Sequence, residues 1–162
     1  MNTKIVVDSS ASLYTLQGVD FECVPLKIIT DDAEYLDNGT MDALGMAQTL
    51  RTYKGKTSTS CPNVSDWLAA YEGADEVYAI TITGTLSGSY NAAMAAREMV
   101  LEEHPEKKIF VLDTLSCSGA LAGAAELANK LIGEDQTFDD ICFALKKFAD
   151  STHILFALAS FD

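Results

Sequence analysis

Short apolar runs alternate along this chain with longer stretches whose apolar residues recur every three or four positions. Lys4 to Asp8 (KIVVD) is β-branched and stops at Ser9 and Ser10, which predicts a buried strand opening into a polar loop. A second run passes through Phe21, Val24, Leu26, Ile28 and Ile29. Pro25 interrupts it and predicts either an edge strand or two short pieces. Asp31, Asp32, Asp37, Asn38 and Gly39 then mark a turn-rich loop. Thr40 is expected to cap a helix from Met41 to Tyr53, with Leu44, Met46, Leu50 and Tyr53 at helical spacing and Asp42 in the first turn. Thr57 to Pro62 (TSTSCP) reads as a hydroxyl-rich loop before a helix from Val64 to Tyr71.

Glu76 to Thr83 (EVYAITIT) is the clearest strand. Gly84 to Gly88 reads as a tight loop, and a long helix follows from Ser89 to Glu103. Its alanines at 92, 93, 95 and 96 let it lie close against a sheet, and Pro105 ends it. Lys108 to Asp113 predicts the next strand, Thr114 to Gly119 a small-residue loop, and Ala120 to Ile132 a helix. Thr137 is expected to cap a further helix to Asp150, and His153 to Ala159 reads as a last strand. The alternation predicts an α/β fold: a parallel sheet flanked by helices on both faces, one domain spanning residues 1–162.

Apolar residues make up 48% and charged residues 22% of the chain, which excludes a disordered polymer. The formal charge of −13 leaves too few Lys and Arg to displace phosphate counterions, so nucleic acid is not an expected partner. An anionic membrane surface would repel the chain for the same reason. The longest apolar run, Ile154 to Ala159, is too short to cross a bilayer, so membrane insertion is not expected either. Met1 to Asp8 offers no secretory segment. Four cysteines with no CxxC pair, and only two histidines to join them, give no zinc spacing; Cys23 and Cys142 read as core packing. A reducing cytoplasm is the expected compartment.

In open parallel sheets, ligands gather beyond the carboxyl ends of the strands. Three polar loops follow strands here: Asp8-Ser9-Ser10, Thr83 to Ser89, and Asp113 to Ser116. The TSTS segment can join them. Together they supply hydroxyls, backbone N–H groups and helix N-termini, a set that can hold an oxyanion through neutral donors. A base is missing. His104 sits at the far end of its helix and His153 at the start of a strand, so no Ser-His-Asp triad is expected. GxSxG is absent, and no Lys follows the glycines as a Walker loop requires. Each loop also has a plain structural reading, with Asp8, Ser9 and Ser10 or Thr59 and Ser60 as capping residues and Ser87 as a helix start.

The ordered set of loops resembles the DegV family. The opening VVDSSAS at 6–12 with Leu13, VPLKI at 24–28, TSTSCP at 57–62, TLSGSYNAA at 85–93 and VLDTLSCSG at 111–119 are similar to the family's successive motifs. The resemblance implies a long-chain fatty acid as ligand, its tail buried and its carboxylate held by hydroxyls. It implies no catalytic residue, no metal and no cofactor besides the bound acid. Ser60 and Ser87 should hold the carboxylate, with Thr59 and the Gly88 N–H as secondary donors. Some members present the acid to a separate kinase, so a fatty acid kinase subunit is an implied partner. Cys61 stands where the family has Gln, and Ser89 where it has Thr. Family members also carry a second domain that closes over the acyl chain, and this sequence resembles the first domain. That implies an exposed apolar cleft, weak lipid binding and self-association through the cleft. The competing class is an enzyme, a hydrolase or phosphotransferase using Ser87 as nucleophile.

Overall fold

The computed structural model describes residues 2–155. In chain order these form β1 (Thr3–Asp8), a single 3-10 turn (Ser9–Ala11), β2 (Asp20–Val24), β3 (Lys27–Thr30), β4 (Glu34–Leu36), α1 (Ala43–Thr52) and β5 (Thr57–Ser60). They continue with α2 (Val64–Tyr71), β6 (Glu76–Thr81), α3 (Ser89–Glu103), β7 (Lys108–Asp113), α4 (Gly119–Gly133) and α5 (Phe138–Ser151).

The expected parallel sheet is present, in the order β2-β1-β6-β7. Successive side chains of a strand point to opposite faces, and here both faces are apolar. Ile5, Val7, Tyr78, Ile80 and Leu112 pack with Leu121, Ala124 and Ala128 of α4 and with Ile141 and Leu145 of α5. On the other face Val6, Val77, Ala79, Ile109 and Val111 pack with Trp67 and Tyr71 of α2 and with Ala93 and Ala96 of α3. Burial on both faces is what the continuous β-branched runs require. Cys23 and Cys142 are half-buried against the first of these clusters, as core packing would have them.

Pro25 divides the second apolar run into two strands that join different sheets. β2 is the edge of the parallel sheet, and β3 centres a separate antiparallel sheet in the order β4-β3-β5. Two expected loops are therefore strands. β4 lies within the turn-rich segment, and the first four residues of TSTSCP are β5, with Ser60 opposite Lys27 and Thr59 opposite Ile28. Alternating Thr and Ser present no apolar face, so hydrophobic periodicity gives no strand signal there. Thr40 does not cap α1. Asp42 does, its Oδ1 accepting the Gly45 N–H at 2.9 Å, while the Thr40 hydroxyl donates to Asn38 Oδ1. α1 contains no buried residue. Of the expected strand from His153 to Ala159, residues 153–155 form no regular element and 156–159 lie outside the described residues.

Candidate functional site

β1, β6 and β7 all deliver their carboxyl ends to one edge of the parallel sheet, and two buried or half-buried carboxylates organise the loops there. Asp8 closes β1 and is fully buried. Its Oδ1 accepts the Ser10 N–H and the Ser10 hydroxyl, which makes it the cap of the 3-10 turn. Its Oδ2 accepts the Ile82 N–H at 2.9 Å and the Ser89 hydroxyl at 2.7 Å. Burial pushes the Asp8 carboxyl above its usual range, and the hydrogen bonds from Ser10, Ile82 and Ser89 oppose that rise. The adjacent Ser9 hydroxyl accepts the Leu26 N–H at 3.0 Å, tying the start of the small sheet to the end of β1.

Asp113 does for the next loop what Asp8 does for its own. Its Oδ2 accepts the Gly84 N–H at 3.2 Å and its Oδ1 the Leu115 N–H at 2.9 Å. Between these two carboxylates every N–H from Ile82 to Ser87 has an acceptor. Ile82 donates to Asp8, Thr83 to the Ser116 carbonyl, Gly84 to Asp113, Thr85 to the Thr83 hydroxyl, and Leu86 and Ser87 to the Thr83 carbonyl. The Gly88 N–H is the first in the loop with no acceptor among the described residues. Gly88 is also the N-cap of α3 and, having no side chain, makes no cap bond of its own. A helix start carries unsatisfied N–H groups and partial positive charge, so the loop ends at a terminus with the Gly88 N–H free. The half-buried Ser87 hydroxyl accepts the Ser89 N–H at 3.3 Å and keeps its own proton to donate.

β5 meets this loop. A β-carbon on Gly88 would stand 3.1 Å from the sulfur of Cys61, so the residue following β5 lies directly against the start of α3. Pro62 restricts Cys61 to extended backbone, which continues the alternation of the strand. Thr57, Thr59 and Cys61 consequently share one side, and Ser58 and Ser60 the other. Thr59 is exposed; Ser60 is half-buried and its hydroxyl donates to the Cys61 carbonyl at 3.2 Å. Of the four residues expected from the sequence, Ser87 and Gly88 thus stand together at the α3 terminus. By that alternation Thr59 falls on the Cys61 side of β5 and Ser60 on the opposite side.

Sequence reasoning missed the tethering by Asp8 and Asp113; the signal available was an acidic residue closing a β-branched strand before a small polar loop. It also missed Leu86 and Leu115, which are 63% and 53% exposed on the two loops beside Ser87 and Asp113. Two clefts of about 320 and 280 Å³ lie at the opposite end of the sheet and touch none of these loops. His104 is at the C-terminal end of α3, paired with Glu106, roughly 20 Å from the helix start at 1.5 Å per residue. Among the described residues, no group of three or more His, Cys, Asp or Glu side chains could hold a metal ion, and no helix is long and apolar enough to cross a membrane.

A model of the DegV family matches residues 2–162. A DegV domain-containing protein of Streptococcus pneumoniae is 36% identical over 166 residues, covering all of this chain and 59% of the relative. The chain therefore spans about three fifths of the length of the curated relatives it matches. Among solved structures, a DegV family protein from Eubacterium eligens loaded with heptadecanoic acid superposes with a TM-score of 0.88 at 37% identity, over 91% of this chain and 54% of that one. The fatty acid kinase (Fak) B3 protein of Streptococcus pneumoniae, loaded with linoleic acid, superposes with a TM-score of 0.89 at 34% identity, over 93% of this chain and 55% of that one.

Proposed function

The chain belongs to the DegV family, and from that membership we propose that it binds a long-chain fatty acid at the carboxyl end of its parallel sheet. The observation that carries the reading is the contact of Cys61 with Gly88, which sets β5 against the start of α3 and its free Gly88 N–H. A carboxylate seeks several short charge-assisted hydrogen bonds. The donors proposed for it are the Ser87 hydroxyl, the Gly88 N–H and a hydroxyl of β5. Strand alternation favours Thr59 over Ser60 for that last place, which reverses the order expected from the sequence; Ser60 then steadies the turn through the Cys61 carbonyl.

The acyl tail supplies most of the affinity, at roughly 0.8 kcal/mol for each CH₂ removed from water. Leu86 and Leu115 stand beside the head-group donors and begin the apolar surface the tail would follow. Two exposed leucines are little apolar surface for a long tail, so the binding proposed for residues 1–162 by themselves is weak and competes with self-association.

The role proposed is that of a carrier without catalysis of its own, one that offers the head group to a kinase subunit. The likeness to the fatty acid kinase B3 protein supports that partnership. An enzyme using Ser87 lacks support, because among the described residues the Ser87 hydroxyl is hydrogen-bonded to the Ser89 N–H and not to a histidine or carboxylate that could act as its base. Cytoplasmic residence goes with the same reading. Extraction of the purified chain followed by mass spectrometry tests it: co-purified or added long-chain fatty acid should be recovered, and recovery should fall in Ser87→Ala. A chain that takes up no fatty acid at any concentration refutes it.

A further inference from the structure

We propose that Asp8 is a positioning residue for the carboxylate site, acting through Ser89 to fix the Ser87 hydroxyl and the Gly88 N–H. The inference rests on the fatty-acid reading for its functional consequence and on hydrogen bonds for its mechanism. Asp8 is fully buried, and a buried carboxylate is costly unless every lone pair is engaged. Its four hydrogen bonds come from three separate segments: the 3-10 turn, the loop after β6, and the first residue of α3.

Ser89 is the pivot. Its hydroxyl reaches inward to Asp8 at 2.7 Å, and its N–H reaches outward to the Ser87 hydroxyl at 3.3 Å. The N-cap Gly88 has no side chain to fix the helix start, so the inward bond is the tether that ties the first residue of α3 to the sheet. The same carboxylate takes up the Ile82 N–H. Interior donors are thereby consumed, and those left facing outward are the ones proposed to meet a ligand. Asp8 touches no ligand. It decides where the ligand's partners stand.

The test uses the 162-residue chain and palmitic acid labelled with carbon-13 at its carboxyl. Ser89→Ala should weaken uptake about tenfold, the loss of one hydrogen bond to a charged group, and should move the bound carboxyl resonance towards that of the free acid. Ser89→Thr keeps the hydroxyl and should restore both. Asp8→Ala removes the acceptor of the Ser89 hydroxyl and should act like Ser89→Ala. Tyr71→Phe is the structural control. It removes a buried hydrogen bond to the Ala93 carbonyl away from the site, and should lower the melting temperature while leaving uptake and resonance unchanged. The parent's affinity and resonance in either Ser89→Ala or Asp8→Ala overturn the proposal. If the parent takes up no palmitic acid, the fatty-acid reading fails and amide exchange decides the positioning role. Faster exchange at Ile82 and Ser87 in Ser89→Ala supports it, and unchanged exchange overturns it.

Discussion

The sulfur of Cys61 lies 3.1 Å from the point where a β-carbon on Gly88 would stand, so residue 61 and the start of α3 are in direct contact. Gly88 has an ordinary helical φ of −73°, and what makes glycine useful there is space, since its backbone is unstrained. Gly88→Ala should therefore fold, with a stability change of about 1 kcal/mol or less, but should push Cys61 aside and shield the free N–H. Fatty-acid uptake should drop, and the double variant Gly88→Ala with Cys61→Ala should recover it. A double-mutant cycle on uptake with no coupling between the two positions counts against the contact.

Alternation along β5 separates two hydroxyls that look equivalent in the sequence. Thr59→Val should weaken uptake about tenfold, the loss of one bond to a charged group, and Ser60→Ala should change it much less. Ser87→Ala should match Thr59→Val. Competition against a fluorescent fatty acid reads all three, and a larger loss in Ser60→Ala than in Thr59→Val reverses the assignment of faces.

Burial raises the Asp8 carboxyl above its ordinary value of 3.8 in the folded chain. Between 3.8 and that raised value the folded state binds more protons than the unfolded one. Stability therefore falls as pH rises through this interval, and the deficit is constant above it. Urea midpoints of the parent relative to Asp8→Asn should be most favourable to the parent at the acidic end of the interval. A difference that grows with rising pH has the wrong sign.

Burial also pushes the thiols of Cys23 and Cys142 up to about 12. Both should remain protonated at pH 8 and resist iodoacetamide in the folded chain, because the thiolate is the reactive form. Peptide mass spectrometry should find them alkylated after denaturation in urea. Rapid labelling of either under native conditions contradicts their packing against the core.

The parallel sheet was legible because β-branched runs such as KIVVD and KIFVLD have no polar face to hide, and the start of α3 at Ser89 because small polar residues separate β6 from a run of alanines. The antiparallel sheet was not legible. TSTS alternates one polar residue with another, and Glu34–Leu36 lies in a segment whose Asp, Asn and Gly residues signal turns. Pro25 marked a break, but where the chain goes after a break depends on partners distant in sequence. The site divides along the same line. Ser87 and Gly88 could be named from a motif, whereas the reach of Asp8 to Ser89 spans 81 positions and exists only in three dimensions.

α1 buries none of its residues, and every residue of β3 is only partly covered, so this lobe holds together with little apolar glue. Such a segment opens by local unfolding well below the free energy of the whole chain. Backbone amides of β3 and β5 should exchange with deuterium long before those of β1 and β6. A fatty acid gripped by Thr59 would have to still this lobe first, and would protect it more than any strand of the parallel sheet.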